Sequence, residues 1–176
     1  MAEEKMEIKS ISGFSEERLI DILEIEKKCF PKSWQYDDSK KYYKMMLEEK
    51  ENIHIFAESG GIVAGYLLAR PYNKAINEIY KHDTLLDKNK KGFSYLETIG
   101  VIKDFRGSGL ASKMILKFIQ ESKKKGIIGF SVHARVVNKF NKKIKSLFPY
   151  NILKVRKIDG WFFGGNEPYE YIEFSI

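Results

Sequence analysis

Apolar positions along the chain switch between a period of two and a period near 3.6. Lys5–Ile11 alternates, which predicts a first strand. From Ser15 the period lengthens. Leu19, Ile22 and Leu23 fall on one helical face, Ser15 suits the N-cap, and Glu16 and Glu17 suit the positive helix start. A residue before proline is pushed out of the helical region, so this helix is expected to end near Phe30-Pro31. Asp37 or Asp38 can cap a second helix that runs to Lys50. Asn52–Glu58 and Ile62–Arg70 read as strands joined by Ser59-Gly60-Gly61, a hairpin signal.

Pro71–Lys91 is polar and weakly patterned, a long connection of the kind that marks a functional loop or a local insertion. Phe93–Ile102 reads as a strand. Gly109–Lys125 reads as a helix with Leu110, Met114, Ile115, Phe118 and Ile119 as its apolar stripe, stopped by Gly126 after three lysines. Ile127–Ala134 is a further strand, and Asn138–Phe148 a short helix burying Phe140, Ile144, Leu147 and Phe148. Ile152–Ile158 and Glu170–Ile176 close the chain as strands around the turn-rich Gly160–Pro168. The resulting order, βααβββαβαββ, is an α/β sandwich rather than a repeated βαβ array.

Composition narrows the class. With 176 residues, 43% of them hydrophobic, the chain can build one domain over residues 1–176 with a sizeable core. No apolar run reaches membrane-spanning length. The start, MAEEKMEIKS, is charged and has no apolar signal core, so a cytoplasmic setting is expected. The single cysteine, Cys29, excludes an internal disulfide framework and a cysteine zinc site. His54 and His82 lack ligand-spaced partners, and no metal is expected. A net charge of +7 favours anionic partners. The runs Lys123–Lys125 and Lys142–Lys145 read most simply as solvated helix faces. Nucleic-acid binding would add a recognisable module or interleaved aromatics, and neither is present.

The chemistry gathers at VIKDFRGSGLAS, residues 101–112. A dinucleotide fingerprint needs a third glycine where Ser112 stands, and an acid at the end of the next strand, which instead ends Ser131-Val132-His133-Ala134. A G-x-x-x-x-G-K-S/T phosphate loop is absent. A plain glycine turn remains open. In the fourth reading Gly107 and Gly109 turn backbone N–H groups toward a ligand, the helix start adds more, and Arg106 adds a permanent charge. Such a nest suits a pyrophosphate.

Arg106-Gly107-Ser108-Gly109-Leu110-Ala111 resembles R-x-x-G-x-A, the pyrophosphate signature of the GNAT acetyltransferase superfamily. LETIGV (Leu96–Val101) resembles the strand beside the cofactor's pantetheine arm, and HARVVNKFNKKIKSLFPY (His133–Tyr150) the strand and helix that follow. IEKKCFPKSW (Ile25–Trp34) is similar to the first-helix segment of the subgroup that acetylates protein N-termini, ribosomal-protein alanine N-acetyltransferases included. The resemblance implies a mixed, mostly antiparallel central sheet of about seven strands, helices on both faces, splayed between the fourth and fifth strands. It implies transfer of an acetyl group from acetyl-CoA to a primary amine in a ternary complex, by a monomer or homodimer. Ile99, Gly100 and Val101 would face the pantetheine and thioester, Arg106, Gly107, Ser108, Gly109, Leu110, Ala111 and Ser112 would hold the pyrophosphate, and Asn138 would touch the pantetheine arm.

Proton transfer is less settled by this resemblance. His133 stands where the N-terminal subgroup carries a glutamate base, and reads either as that base or as a buried histidine bonded to backbone. Glu97 shares a strand face with Ile99 and Val101, and reads as a base in the cleft or as a solvated carboxylate. Lys145 stands where the family frame has the tyrosine that protonates the leaving thiolate. It reads as a substitute acid or as a solvated helix lysine. Pro149 stands where the frame usually has glycine. The lysine at 145 motivates an alternative, an acyl-CoA-binding regulator with little catalysis.

Overall fold

Caps and breakers set the first elements. In the computed structural model, which describes residues 6–161 and 165–176, β1 (Glu7–Ile11) precedes α1 (Glu16–Cys29). The Ser15 side chain accepts the Arg18 N–H at 3.4 Å, and Phe30, extended before Pro31, ends the helix. Asp38 caps α2 (Ser39–Glu48) by accepting from the Lys41 N–H at 3.0 Å. The hairpin β2 (Ile53–Ser59) and β3 (Ile62–Pro71) follows, with Gly60 and Gly61 at positive φ in its turn. Lys5, the expected start of the first strand, and residues 162–164 of the expected last turn lie outside the described residues.

Residues 71–91 differ from expectation. They hold a helix, α3 (Tyr72–Ile79), whose buried Tyr72, Ala75, Ile76 and Ile79 lie at helical spacing. The stripe is legible in hindsight. It is short, flanked by polar residues, and its N-cap Pro71 makes no side-chain hydrogen bond. Next come β4 (Phe93–Val101), α4 (Leu110–Lys124) and β5 (Gly129–Arg135). The whole predicted stripe of α4 is buried. Helix α5 (Phe140–Leu147) starts two residues later than expected, because Lys139 adopts a left-handed φ of 61°. Only Asn141 and Ile144 are buried on it; Phe140, Leu147 and Phe148 are half-buried. The closing strands, β6 (Ile152–Trp161) and β7 (Gly165–Ser175), run further toward their turn than the residue pattern suggested.

The seven strands form one mixed sheet in the order β1-β2-β3-β4-β5-β7-β6. The parallel β4–β5 ladder runs only from Phe93↔Gly129 to Tyr95↔Ser131, although β4 continues to Val101 and β5 to Arg135, as expected of strands that part. Two compact units make up the chain: Met1–Ala69 with Glu97–Glu121, and Arg70–Leu96 with Ser122–Ile176. The first packs Leu19, Ile22, Ile25, Tyr43, Met46 and Leu47 against Phe56, Tyr66 and Leu68. The second packs α3 against Leu86, Tyr95 and Tyr171.

In the first unit β3 and β4 meet at paired glycines. A Cβ on Gly65 would lie 2.7 Å from the Gly100 carbonyl oxygen, and a Cβ on Gly100 would lie 3.0 Å from the Tyr66 ring. Gly65→Ala must therefore push backbone aside. It is expected to destabilise the fold by about 1–3 kcal/mol. Thermal unfolding reads this directly; an unchanged midpoint would show that the strands separate at no cost.

Candidate functional site

The C-terminal half of β4 has one partnered edge within its unit. The Ile102 N–H donates to the Ala64 carbonyl at 3.0 Å. Backbone groups alternate along a strand, so the N–H groups of Ile99 and Val101 point away from β3. The Val101 carbonyl, on that same edge, accepts from Arg106 Nε at 2.9 Å and from Cys29 Sγ at 3.2 Å. Gly100 is glycine for a packing reason: its Cβ position faces Tyr66 and Ile25.

Beyond Val101 the chain makes a tight turn and opens into the glycine stretch. Gly107 and Gly109 have φ of 83° and 80°, the left-handed region that strains any L side chain. A Cβ at either would meet nothing within 4 Å, so conformation and not crowding requires glycine there. Ser108 Oγ donates to the Phe105 carbonyl at 2.7 Å and fixes the turn. The α4 ladder begins with the Lys113 N–H bonding to the Gly109 carbonyl. The N–H groups of Leu110, Ala111 and Ser112 precede that ladder and lack an intrahelical acceptor. The N–H groups gathered here are donors, and Arg106 adds a guanidinium bonded through Nε to the Val101 carbonyl. The donor set fits a pyrophosphate.

Glu97 lies on the same β4 face as Ile99 and Val101, and all three are half-buried. The Tyr36 hydroxyl donates to Glu97 Oε1 at 3.4 Å. The Tyr36 ring stacks on Tyr42 at 3.7 Å and meets Tyr43 edge-on. The motif comparison supplied Glu97; Tyr36 was missed, because nothing local ties it to a residue 61 positions away.

His133 lies in the second unit, on β5, with its side chain 1% exposed. Asp83 Oδ2 is 3.1 Å from Nε2, and the Tyr95 hydroxyl is 2.9 Å from Nδ1. An ionised Asp83 accepts a hydrogen bond from Nε2–H, which leaves Nδ1 to accept from Tyr95. Trp161 stacks on the ring at 3.5 Å, and Arg156 ion-pairs with Asp83. Burial pushes the imidazole down to about 4, with the Arg156 charge adding to that, against the opposing pull of Asp83. For Asp83, burial pushes up, but bonds from His133 and Arg156 outweigh it and hold the carboxyl below its usual range.

A histidine with a depressed pKa stays neutral in the fold while the unfolded chain takes up its proton. Stability from His133 is therefore full above about pH 6.5 and lost as the pH falls toward 4. The Asp83 contribution is lost lower still, below the ordinary carboxylate range. The melting midpoint is expected to fall between these limits, by on the order of 1–3 kcal/mol of stability. His133→Gln should flatten the slope in that window; an equally steep profile in the variant would refute the assignment.

Lys145 on α5 is ion-paired with Glu170 Oε2 at 2.7 Å. Burial raises Glu170, but bonds from Lys145 and Asn141 and the charges of Lys145 and Lys157 outweigh it, so its carboxyl sits below the usual range. Asn138 is exposed, and its Oδ1 accepts the Phe140 N–H at 3.0 Å, just before α5. The structure thus joins Glu97, Ile99, Gly100, Val101 and the Arg106–Ser112 cradle in the first unit. It places His133, Asn138 and Lys145 in the second unit, His133 and Lys145 with different partners. Among the described residues no group of three or more His, Cys, Asp and Glu side chains is arranged to hold a metal, and no helix is long and apolar enough to cross a membrane.

Comparison with known proteins identifies the family and the fold. The family model described as the acetyltransferase (GNAT) family matches residues 19–144. No curated protein matches the sequence. Among solved structures, the ribosomal-protein-S18-alanine N-acetyltransferase from Escherichia coli is similar at a TM-score of 0.69, with 16% identity, covering 98% of this chain and 94% of that one. A chain of the NatC complex bound to Gag peptide and CoA is similar at 0.71, with 14% identity over 98% and 99% of the two chains. Aminoglycoside 6'-acetyltransferase type Ii is similar at 0.70, with 13% identity over 96% of each.

Proposed function

The chain belongs to the GNAT acetyltransferase family, and from that premise we propose that it transfers an acetyl group from acetyl-CoA to a primary amine by direct attack in a ternary complex. Residues 1–176 act in this reading as one N-acyltransferase domain. The observation that carries it is the cradle: two positive-φ glycines, the open start of α4 and Arg106, next to a strand edge whose N–H groups at Ile99 and Val101 face away from β3. Acetyl-CoA supplies the activated thioester. Arg106 and the N–H groups of residues 107–112 hold the pyrophosphate, and the Val101 N–H stabilises charge on the thioester oxygen. Asn138 is assigned to the pantetheine arm through its amide nitrogen, since its oxygen bonds the Phe140 N–H.

The acceptor must be neutral to attack. Reference pKa values of about 8 for an α-amine and about 10.4 for a lysine leave both largely protonated near pH 7, so a base is useful. Glu97, half-buried on the strand face shared with Ile99 and Val101, takes that role. His133, bonded at both nitrogens, is assigned a structural role rather than that of the base. Lys145 is the candidate proton donor to the leaving thiolate; with a thiol pKa of about 8.5, its help is not essential. The half-buried free thiol of Cys29 suits a reducing compartment, and the reaction is assigned to the cytoplasm. The likeness of Ile25–Trp34 to enzymes of protein N-termini makes an α-amine the first acceptor to try.

One observation favours the second reading, a regulator that binds acyl-CoA: the lysine at the usual tyrosine position is held in an ion pair. Thiol release from acetyl-CoA, measured over a panel that starts with an alanine-initiated peptide and includes lysine peptides and small amines, decides between them. Acetylated amine in the mass spectrum is the expected result. Tight coenzyme A binding with no acetylated product across the panel would establish the regulator.

A further inference from the structure

Glu26 is a buried carboxylate that the reaction above does not use. It sits on α1, 2% exposed, among the aromatics of the first unit. Burial pushes its carboxyl up, against the bonds it receives. A carboxylate in such a place is costly unless its oxygens are hydrogen-bonded, and an apolar side chain would pack there more simply. Its partners show what it organises. The Tyr43 hydroxyl donates to Oε1 at 3.1 Å. The Tyr36 backbone N–H also donates to the carboxylate. The Ser39 hydroxyl is within reach of both Glu26 and the Tyr36 carbonyl, the latter at 3.0 Å, and its one proton serves either. Three donors, one from the segment joining α1 to α2 and two from α2 itself, thus converge on one side chain.

Two routes lead from this hub to β4. Tyr36, held through its backbone, presents its hydroxyl to Glu97. Tyr43 meets the Tyr66 hydroxyl at 3.3 Å, and Tyr66 in turn bonds the Thr98 side chain, next to Glu97 on the strand. We propose that Glu26 is a positioning residue for the transfer reaction: by holding Tyr36 and Tyr43 it sets where the Glu97 carboxylate stands. The inference rests on the reading of Glu97 as base.

The test combines a spectroscopic and a kinetic readout. The side-chain carboxyl 13C resonance of Glu97, identified by its loss in Glu97→Gln, should shift in Glu26→Leu and in Tyr36→Phe. An unmoved resonance in Glu26→Leu overturns the proposal. With the alanine-initiated peptide or whichever panel amine turns over, Glu26→Leu should lower kcat about 10-fold while coenzyme A affinity stays unchanged, since displacing a reacting group costs rate more than cofactor binding. Glu26→Gln, which keeps an acceptor oxygen for Tyr43 and Tyr36, should retain most of the rate and guards against a misfolded leucine variant. In the Glu97→Gln background Glu26→Leu should add no further loss, because the two act as one unit. Independent, additive losses would make Glu26 merely structural. Full activity in Glu97→Gln would instead defeat the base reading, and the inference with it; no turnover of any amine by the native chain would defeat the transferase reading itself.

Discussion

Arg106→Glu is expected to weaken coenzyme A binding about 100- to 1000-fold. The arginine contributes a charge-assisted bond of about 1.5–3 kcal/mol, and a glutamate adds repulsion of about 1–4 kcal/mol against a phosphate roughly 4 Å away. Arg106 is exposed and anchored at 2.9 Å to the Val101 carbonyl, so the change also loosens the guanidinium's own support. Arg106→Gln, which removes the charge without reversing it, should cost less. Binding should weaken with salt in the native chain and lose much of that dependence in the variant. Calorimetric titration measures the affinity. Pantetheine, which lacks the pyrophosphate, is the internal control: the variant should bind it as the native chain does. Unchanged affinity for coenzyme A would end the cradle reading of residues 106–112.

Glu97→Gln is expected to lower kcat by about 10²- to 10⁴-fold, the range of a positioned general base. Glutamine has nearly the same shape and still accepts from the Tyr36 hydroxyl, so coenzyme A affinity and the melting midpoint should hold. The deficit has a sign in pH. It should be largest near pH 7, where the amine is protonated, and shrink toward pH 9 as an α-amine loses its proton unaided. A lysine acceptor, with a reference pKa of about 10.4, should keep a large deficit over that range. Stopped assays at both pH values separate these outcomes. Normal turnover at pH 7 would remove Glu97 from the chemistry.

Helix α4 and the glycine turn before it were legible because their signals are local. An apolar residue every three or four positions buries one face, and a glycine at positive φ needs no distant partner to declare itself. Helix α3 carried the same kind of signal in Tyr72, Ala75, Ile76 and Ile79 and was still read as a connection. Two turns of helix within a polar segment, with no capping side chain, offer too little periodicity to outweigh composition. The family pattern implied a sheet of about seven strands that parts between the fourth and fifth; the strand order came only with the structure, because residue spacing does not encode which strands pair.

His133 shows the other limit. As a sequence position it offered a base near neutrality or a buried structural residue. Its partners come from a post-helix turn, from β4 and from β6, with Asp83 50 positions away. Glu26 shows it again: nothing in Ile25–Trp34 says that the glutamate turns inward to gather Tyr36, Ser39 and Tyr43. The chain by itself determined its caps, its glycine turns, the start of α4 and the strand that carries Glu97, because each depends on neighbours within a turn or two. Only the tertiary structure decided which side chains are sealed and which pairs of distant groups share protons. Burial and pairing are properties of packing between elements, and no residue carries them alone.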